Sequence, residues 1–179
     1  MLVQFGSCRL QLVQGDITVQ EVDAIVNAAN SKLAGGGGVD GAIHRVAGPT
    51  LKQQTQQKFS DGCPTGEAVA TDAGNLRAKH VFHAVGPVWR GGQRGERKLL
   101  TLAYQHCLQL AVEHHCSSIA FPAISTGVYG YPVDLAADAS LNAVREFLIE
   151  HEKPDRVLFV LLDTGTYGGF SRVLESMTE

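Results

Sequence analysis

Residues 24–46 read AIVNAANSKLAGGGGVDGAIHRV, and this stretch decides how the chain folds. Its apolar start, residues 24–26, is typical of a strand buried on both faces. Four glycines at 35–38 then lead into residues 41–46, which we predict to form a helix. A glycine run between strand and helix favours an anion site, because backbone N–H groups can approach a phosphate where a Cβ would obstruct them. A flexible linker is the alternative, but the run is short and lies between two patterned segments.

A second glycine-containing loop, PAISTGVYGYP, occupies residues 122–132 between a predicted strand at 118–121 and a predicted helix at 132–149. Ser125 and Thr126 supply hydroxyl donors, and the loop's glycines permit close approach of the backbone to a ligand. Tyr129 offers a flat face for a sugar or a base. Together the two loops are suited to clasp a diphosphate. Two plainer interpretations stay open: the hydroxyls cap the next helix, and Tyr129 is a core aromatic.

The rest of the chain alternates strand and helix patterns. The other predicted strands lie at residues 1–5, 8–13, 68–71, 80–85 and 157–162, and the other predicted helices at 51–59, 96–115 and 170–177. This alternation predicts one α/β domain with helices on both faces of a mainly parallel sheet and a mixed edge from an N-terminal hairpin. Ligands of such sheets bind beyond the carboxyl ends of the strands, where both glycine loops fall.

The composition limits partners and location. With 15 basic and 18 acidic residues the formal charge is −3, so the chain lacks the basic stripe that nucleic-acid binding requires. Its four cysteines are scattered without a CxxC pair, which favours free thiols over a zinc site or a disulfide framework. No signal-peptide pattern and no stretch of roughly 20 apolar residues occur. We therefore expect a cytoplasmic protein without membrane contact or direct nucleic-acid binding.

Several common site motifs do not occur. No GxxxxGK followed by Ser or Thr is found, which disfavours nucleoside-triphosphate hydrolysis. Ser125 has no His and Asp partners at a recognisable spacing, so we do not predict a catalytic triad. Residues 89–95 are predicted to form a mobile loop, in which Arg90 or Arg94 either contacts a protein-linked substrate or is simply exposed.

Ordered sequence blocks give the strongest indication of function. They are Gly15-Asp16-Ile17-Thr18, Val26-Asn27-Ala28-Ala29-Asn30, Gly35-Gly36-Gly37-Gly38-Val39-Asp40, Ile43-His44, Cys63-Pro64-Thr65-Gly66, His83-Ala84-Val85-Gly86-Pro87 and residues 124–132. In these blocks the chain resembles a macro domain, and in particular the MacroD-type bacterial O-acetyl-ADP-ribose deacetylases. The resemblance runs from about residue 12 to about residue 160. It implies a three-layer α/β/α fold, with a single macro domain spanning 1–179.

The resemblance also implies a function. The expected ligands are ADP-ribose and O-acetyl-ADP-ribose, and the expected reaction is hydrolysis of ADP-ribosyl esters, including ADP-ribose attached to acidic side chains of mono-ADP-ribosylated proteins. No cofactor and no metal are implied. A non-catalytic ADP-ribose reader and a regulatory interaction module with a protein partner remain as alternatives. The pair of Asn30 and Asp40 favours the enzyme, because binding alone needs the loops but not that carboxylate.

The resemblance assigns roles to the adenosine and ribose ends of the site. Asp16 accepts a hydrogen bond from the adenine amino group and the Ile17 backbone donates to the ring, although a turn or N-cap aspartate is the alternative for Asp16. Asn30 binds the hydroxyls of the distal ribose, which carries the scissile ester. Asn27 is expected to be a structural residue at the strand end, and His83 a structural histidine.

The remaining roles concern the phosphates and the reaction. Gly38 and Val39 present backbone N–H groups to one phosphate. The second loop closes over the other phosphate and the distal ribose with Ser125, Thr126, Gly127, Val128 and Tyr129. Asp40 is the expected catalytic residue, which together with a substrate phosphate orients and deprotonates the attacking water while Asn30 fixes the ribose.

Overall fold

The computed structural model describes residues 1–178, which contain a seven-stranded sheet. Its strands are β1 Leu2–Phe5, β2 Cys8–Gln14, β3 Ala24–Ala29, β4 Ala68–Asp72, β5 His80–Val85, β6 Ser118–Phe121 and β7 Arg156–Leu161. The strands lie in the order β1-β2-β7-β6-β3-β5-β4, and the five central ones run parallel. β1 is antiparallel to β2, which confirms the mixed edge predicted from the N-terminal hairpin.

The opposite edge of the sheet is mixed as well, which the sequence patterns did not predict. β4 runs antiparallel to β5, with Thr71 opposite Val81 and Val69 opposite His83. Only residues 73–79 connect the two strands. A parallel pair needs a crossover of a dozen or more residues, so this short connection forces the antiparallel arrangement.

Helices cover both faces of the sheet, which confirms the predicted three-layer α/β/α fold. They are α1 Gly38–Ala47, α2 Thr50–Lys58, α3 Glu96–Glu113, α4 Val133–His151 and α5 Thr164–Ser176. Ile25 packs in the cluster on the α1 and α2 side, while Val26 packs in the larger cluster on the α3 to α5 side. Successive residues of a strand point to opposite faces, so both side chains are fully buried. No helix between residues 1 and 178 is long and apolar enough to cross a membrane.

Two helices begin earlier than their sequence patterns predict. α1 begins at Gly38 instead of residue 41, and α5 begins at Thr164 instead of residue 170. Asp163 caps α5, because its carboxylate accepts hydrogen bonds from the backbone N–H and the hydroxyl of Thr166 at 2.8 and 3.0 Å. Gly169 serves packing inside this helix, because a Cβ there would lie 2.7 Å from Val133 Cγ1 of α4.

The parallel strands bring five connections to one edge of the sheet. The carboxyl ends of β2, β7, β6, β3 and β5 lead into a 3₁₀ turn at Ile17–Val19, the start of α5, the second glycine loop, the first glycine loop and a loop at residues 86–95. β3 and β6 are direct neighbours, with Ala24 opposite Ile119 and Ile25 opposite Ala120. The two glycine loops therefore leave the sheet side by side, as predicted.

Candidate functional site

The first glycine loop presents a row of unpaired backbone donors. Gly37 is the N-cap of α1, and no side chain caps this helix. The backbone N–H groups of residues 35–40 form no hydrogen bonds within the described part of the chain. Unpaired donors and the positive end of the helix dipole make such a helix start a favourable place for an anion. A Cβ on Gly41 would lie 2.5 Å from the carbonyl oxygen of Gly36, so the loop folds back onto its own helix.

Asn30 anchors this loop from its other end. Its Nδ2 donates to the carbonyl of Gly35 over 2.9 Å, and its Oδ1 accepts from the backbone N–H of Ala34 over 3.2 Å. From the family resemblance, Asn30 is expected to bind the distal ribose. Each end of the amide keeps further capacity, because the NH₂ group carries two hydrogens and the carbonyl oxygen two lone pairs. The side chain therefore shapes the loop and still has groups for a ligand.

The second glycine loop is strained and incompletely hydrogen-bonded. Ser125 has a φ of +69°, and its hydroxyl is buried without a partner among the described residues. The backbone N–H groups of Ser125, Gly127, Val128 and Tyr129 make no hydrogen bonds within residues 1–178. Left-handed backbone in a non-glycine residue and an orphaned buried hydroxyl both cost free energy, and such features cluster at functional sites.

The plainer interpretations of this second loop are wrong. The N-cap of α4 is Pro132, and no side chain caps that helix, so Ser125 and Thr126 do not serve as caps. Thr126 instead donates its hydroxyl to the carbonyl of Ala123 over 2.8 Å. Tyr129 is half-buried and lies outside the hydrophobic clusters of the core. Its ring thus remains available at the site.

Asp16 has a structural role at the opposite end of this edge. Its Oδ1 accepts hydrogen bonds from the backbone N–H and the hydroxyl of Thr18, at 2.8 and 2.7 Å, and so caps the 3₁₀ turn. Both bonds end on Oδ1, which leaves Oδ2 for another donor. Leu162, directly after β7, is 72% exposed at the neighbouring strand end. Asp16 and Leu162 therefore flank the same part of the edge.

Asp40 is a buried carboxylate in the first turn of α1, only 7% exposed. Asn27 Nδ2 donates to its Oδ1 over 2.8 Å, and His44 Nε2 lies 3.2 Å from the same oxygen. Oδ2 has no hydrogen-bond partner among the described residues, and it faces the first glycine loop: a Cβ on Gly36 would lie 3.6 Å from it. One carboxylate oxygen is thus held by the protein, while the other is free to accept a hydrogen bond.

A buried chain of polar groups continues behind Asn27. Asn27 Nδ2 is also 3.2 Å from His83 Nδ1, and His83 Nε2 is 2.9 Å from the hydroxyl of Thr71. Thr71 donates its own hydrogen to the carbonyl of Asp72 over 3.0 Å, so it must accept from His83. His83 is then neutral, protonated on Nε2, with Nδ1 as the acceptor for Asn27.

The environment of His83 favours that neutral state. Burial disfavours the charged imidazolium, and His44 adds a further unfavourable charge. These effects outweigh the attraction of Asp40 and lower the pKa of His83 to about 4. The prediction of a structural histidine is consistent with this geometry, but Asn27 contacts Asp40 and His83 instead of closing a strand-end turn. Thr71 is not among the residues predicted from the sequence, because its link to His83 depends on the register of β4 against β5.

Comparison with known proteins agrees with this architecture. The family model described as "Macro domain" matches residues 26–140. An O-acetyl-ADP-ribose deacetylase of Salmonella typhimurium is 54% identical over 168 residues, covering 93% of this chain and 94% of the relative. The Oceanobacillus iheyensis macrodomain, solved with ADP, superposes with a TM-score of 0.94 at 38% identity, covering 99% of this chain and 96% of that one.

A second solved structure shows the same fold. The Trypanosoma brucei macrodomain, solved in complex with ADP-ribose, superposes with a TM-score of 0.85 at 41% identity and covers 92% of this chain and 68% of the other. The overall fold is thus shared with both solved macrodomains. The chain belongs to the macro domain family.

Proposed function

We propose that the protein binds ADP-ribose at the paired glycine loops and hydrolyses its esters. The substrates are O-acetyl-ADP-ribose and ADP-ribose attached to acidic side chains of proteins, and residues 1–179 act as a single domain. The observation that carries this proposal is the buried Asp40 carboxylate, whose Oδ1 is held by Asn27 and whose Oδ2 faces the first glycine loop. The relative named as a deacetylase and the neighbour solved with ADP-ribose support both the ligand and the reaction.

Each part of the carboxyl edge has a role in binding. The free Oδ2 of Asp16 accepts from the adenine amino group, and the Ile17 backbone donates to the ring. Backbone N–H groups of Gly38 and Val39 bind one phosphate at the start of α1. The second glycine loop binds the other phosphate with residues 125–129, and Asn30 holds the distal ribose.

Asp40 then acts as the general base. The attacking water lies between Oδ2 and a substrate phosphate, and it attacks the acyl carbon of the ester. Its proton passes to this pair of oxygens, the acyl–oxygen bond breaks, and the ribose oxygen takes up a proton. The products are a carboxylic acid and ADP-ribose. Positioning and proton transfer are the protein's main contributions, because the phosphate that completes the base comes with the substrate.

The test is to incubate the EDTA-treated protein in ¹⁸O-labelled water with O-acetyl-ADP-ribose or with a glutamyl-ADP-ribosylated protein, and to analyse the products by mass spectrometry. Attack at the acyl carbon places one ¹⁸O in the released acid and none in ADP-ribose. Asp40→Asn should release little product. Asp155→Asn is the matched control, because this exposed aspartate precedes β7 at the opposite edge of the sheet. Binding of ADP-ribose without turnover of either substrate would instead identify a reader.

A further inference from the structure

The loop at residues 86–95 is held in place by a buried carboxylate. Glu96, at the start of α3, is only 2% exposed. It accepts hydrogen bonds from the backbone N–H groups of Arg90, Gly92 and Arg94 at 3.0, 2.7 and 2.5 Å. Burial alone would raise the pKa of Glu96, but these backbone donors lower it to about 2. At neutral pH the carboxylate is therefore ionised and gathers the loop around itself.

This ordered loop is part of the mouth of the proposed site. The backbone N–H of Trp89 donates to the carbonyl of Tyr129 in the second glycine loop over 2.8 Å. The Trp89 ring packs on Tyr131, with ring centroids 4.6 Å apart. Residues 90–95 are all exposed and contribute nothing to the core. The buried Glu96 carboxylate therefore fixes the conformation of a segment that packs against no core, which is useful where its outer surface has to bind a partner.

That outer surface carries two arginine side chains that form no ion pair among the described residues. Arg90 and Arg94 are exposed, and neither side chain forms an ion pair within residues 1–178. Residues 86–95 contain no acidic residue, although the whole chain has a net charge of −3. Arg97, by contrast, is paired with Asp138. The two unpaired guanidinium groups project from a segment attached to the loop that is proposed to hold the distal ribose.

We propose that Arg90 and Arg94 bind acidic side chains that flank the ADP-ribosylated residue of a protein substrate. This inference rests on the proposed function, since the ester-bearing ribose must lie beside the second glycine loop. Arginine suits the role because its planar, always charged fork binds carboxylates in two-point contacts. A nucleic-acid partner is disfavoured, because two positive charges release few counterions.

The test compares substrates of different size in the full-length protein. We would measure kcat/KM of the wild type and of Arg90→Ala/Arg94→Ala on O-acetyl-ADP-ribose, on a glutamyl-ADP-ribosylated peptide with acidic flanks and on the same peptide with Ser and Gly flanks. Arg45→Ala/Arg145→Ala serves as a control for the loss of two positive charges. For the double variant at residues 90 and 94 we expect a drop of about three- to tenfold on the acidic peptide alone, as for two screened ion pairs.

Each outcome decides the inference. The drop should shrink as ionic strength rises from about 0.05 to about 0.5 M, because salt screens exposed charges. Equal losses on all three substrates, or no loss on the acidic peptide, would overturn the inference and leave the proposed function intact. Weakened binding of a fluorescent single-stranded RNA without an effect on the peptide would also overturn it. A wild-type protein that cleaves neither peptide would contradict the protein-substrate part of the proposed function and this inference with it.

Discussion

The side-chain amide of Asn27 donates to Asp40 Oδ1 over 2.8 Å, and this contact fixes which way the carboxylate faces. With Oδ1 occupied by Asn27 and by His44, Oδ2 is left for the glycine loop. The arrangement costs free energy. Asn27 Oδ1 is buried without a hydrogen-bond partner among the described residues, and an unsatisfied buried acceptor destabilises a fold by roughly 1–3 kcal/mol. This cost supports the proposal that the orientation of the Asp40 carboxylate matters for function.

Replacing Asp40 by Asn should abolish most of the ester hydrolysis without loss of binding. The amide keeps an oxygen for Asn27 but cannot take a proton from water. We expect the single-turnover rate on O-acetyl-ADP-ribose to fall about 100-fold or more, in line with the usual contribution of general-base catalysis. Calorimetry should show unchanged ADP-ribose affinity. A rate within about threefold of wild type would remove Asp40 from the mechanism, because it leaves no room for such a contribution.

Removing the Thr71 hydroxyl should slow the reaction from a distance. In Thr71→Val the Nε2–H of His83 loses its acceptor, so the ring is free to carry its proton on Nδ1, where it opposes Asn27. We expect a rate about tenfold lower, the equivalent of one hydrogen bond of about 1.4 kcal/mol, at unchanged ADP-ribose affinity.

Thr71→Ser is the matched control, because it keeps the hydroxyl and should restore the rate. Nitrogen-15 NMR of the His83 ring reports the tautomer directly. A fully active Thr71→Val protein, or a serine variant as slow as the valine variant, would show that this contact does not position the carboxylate.

Acid should destabilise the protein through His83. The folded pKa of about 4 lies below the ordinary value of 6.5, so the unfolded state binds a proton that the folded state does not. The free energy of unfolding should therefore fall as the pH drops from about 6.5 to about 4 and level off below that, by roughly 3 kcal/mol in total. Urea unfolding of the wild type and of His83→Asn at several pH values measures this fall in the free energy of unfolding. The variant should lose this part of the pH dependence, and identical profiles would contradict the assignment.

A methyl group on Gly41 should disrupt the first glycine loop. Its Cβ would lie 2.5 Å from the Gly36 carbonyl oxygen, which must then move. We expect Gly41→Ala to weaken ADP-ribose binding and to lower the free energy of unfolding by about 1–3 kcal/mol, as overpacking does.

Gly168→Ala in α5 is the control for the glycine substitution, since its Cβ would meet only Arg172 Nη1 at an ordinary 3.6 Å. Gly168→Ala should keep full ADP-ribose affinity, and its free energy of unfolding should rise by about 0.5–1 kcal/mol, because alanine is more stable than glycine inside a helix. Equal binding by the two alanine variants, measured by calorimetry, would show that the loop tolerates displacement.

Trp89, the single tryptophan of the chain, should report the state of the loop that Glu96 holds. The pKa of Glu96 is lowered from 4.5 to about 2, so its contribution to loop order is complete above about 4.5 and declines as the pH falls toward 2. Tryptophan emission should shift to longer wavelength over that range. Glu96→Gln should show the shifted emission already at neutral pH, and a wild-type spectrum in this variant would mean that other contacts order the loop.

Much of the architecture is readable from local patterns. The apolar run before Asn27 predicts a strand buried on both faces, and helices do cover both faces of β3. The glycine run predicts a helix start with unpaired backbone N–H donors. The patterns were less exact at the start of α5, which was predicted at residue 170. The local cap at Asp163 begins the helix at Thr164, and the tertiary packing of Gly169 on α4 uses a glycine inside it.

The alternation of strands and helices, the two glycine loops at one edge and the charged residues near them follow from the amino-acid sequence alone. The contacts that join Asp40, Asn27, His83 and Thr71 arise only when the strands are assembled into the sheet. Along the sequence, Asp40 lies 13 positions from Asn27, Asn27 lies 56 positions from His83, and His83 lies 12 positions from Thr71. The physical reason is register: whether Asn27 meets His83, and His83 meets Thr71, depends on how three strands align, and a slip of one residue would turn each side chain to the opposite face.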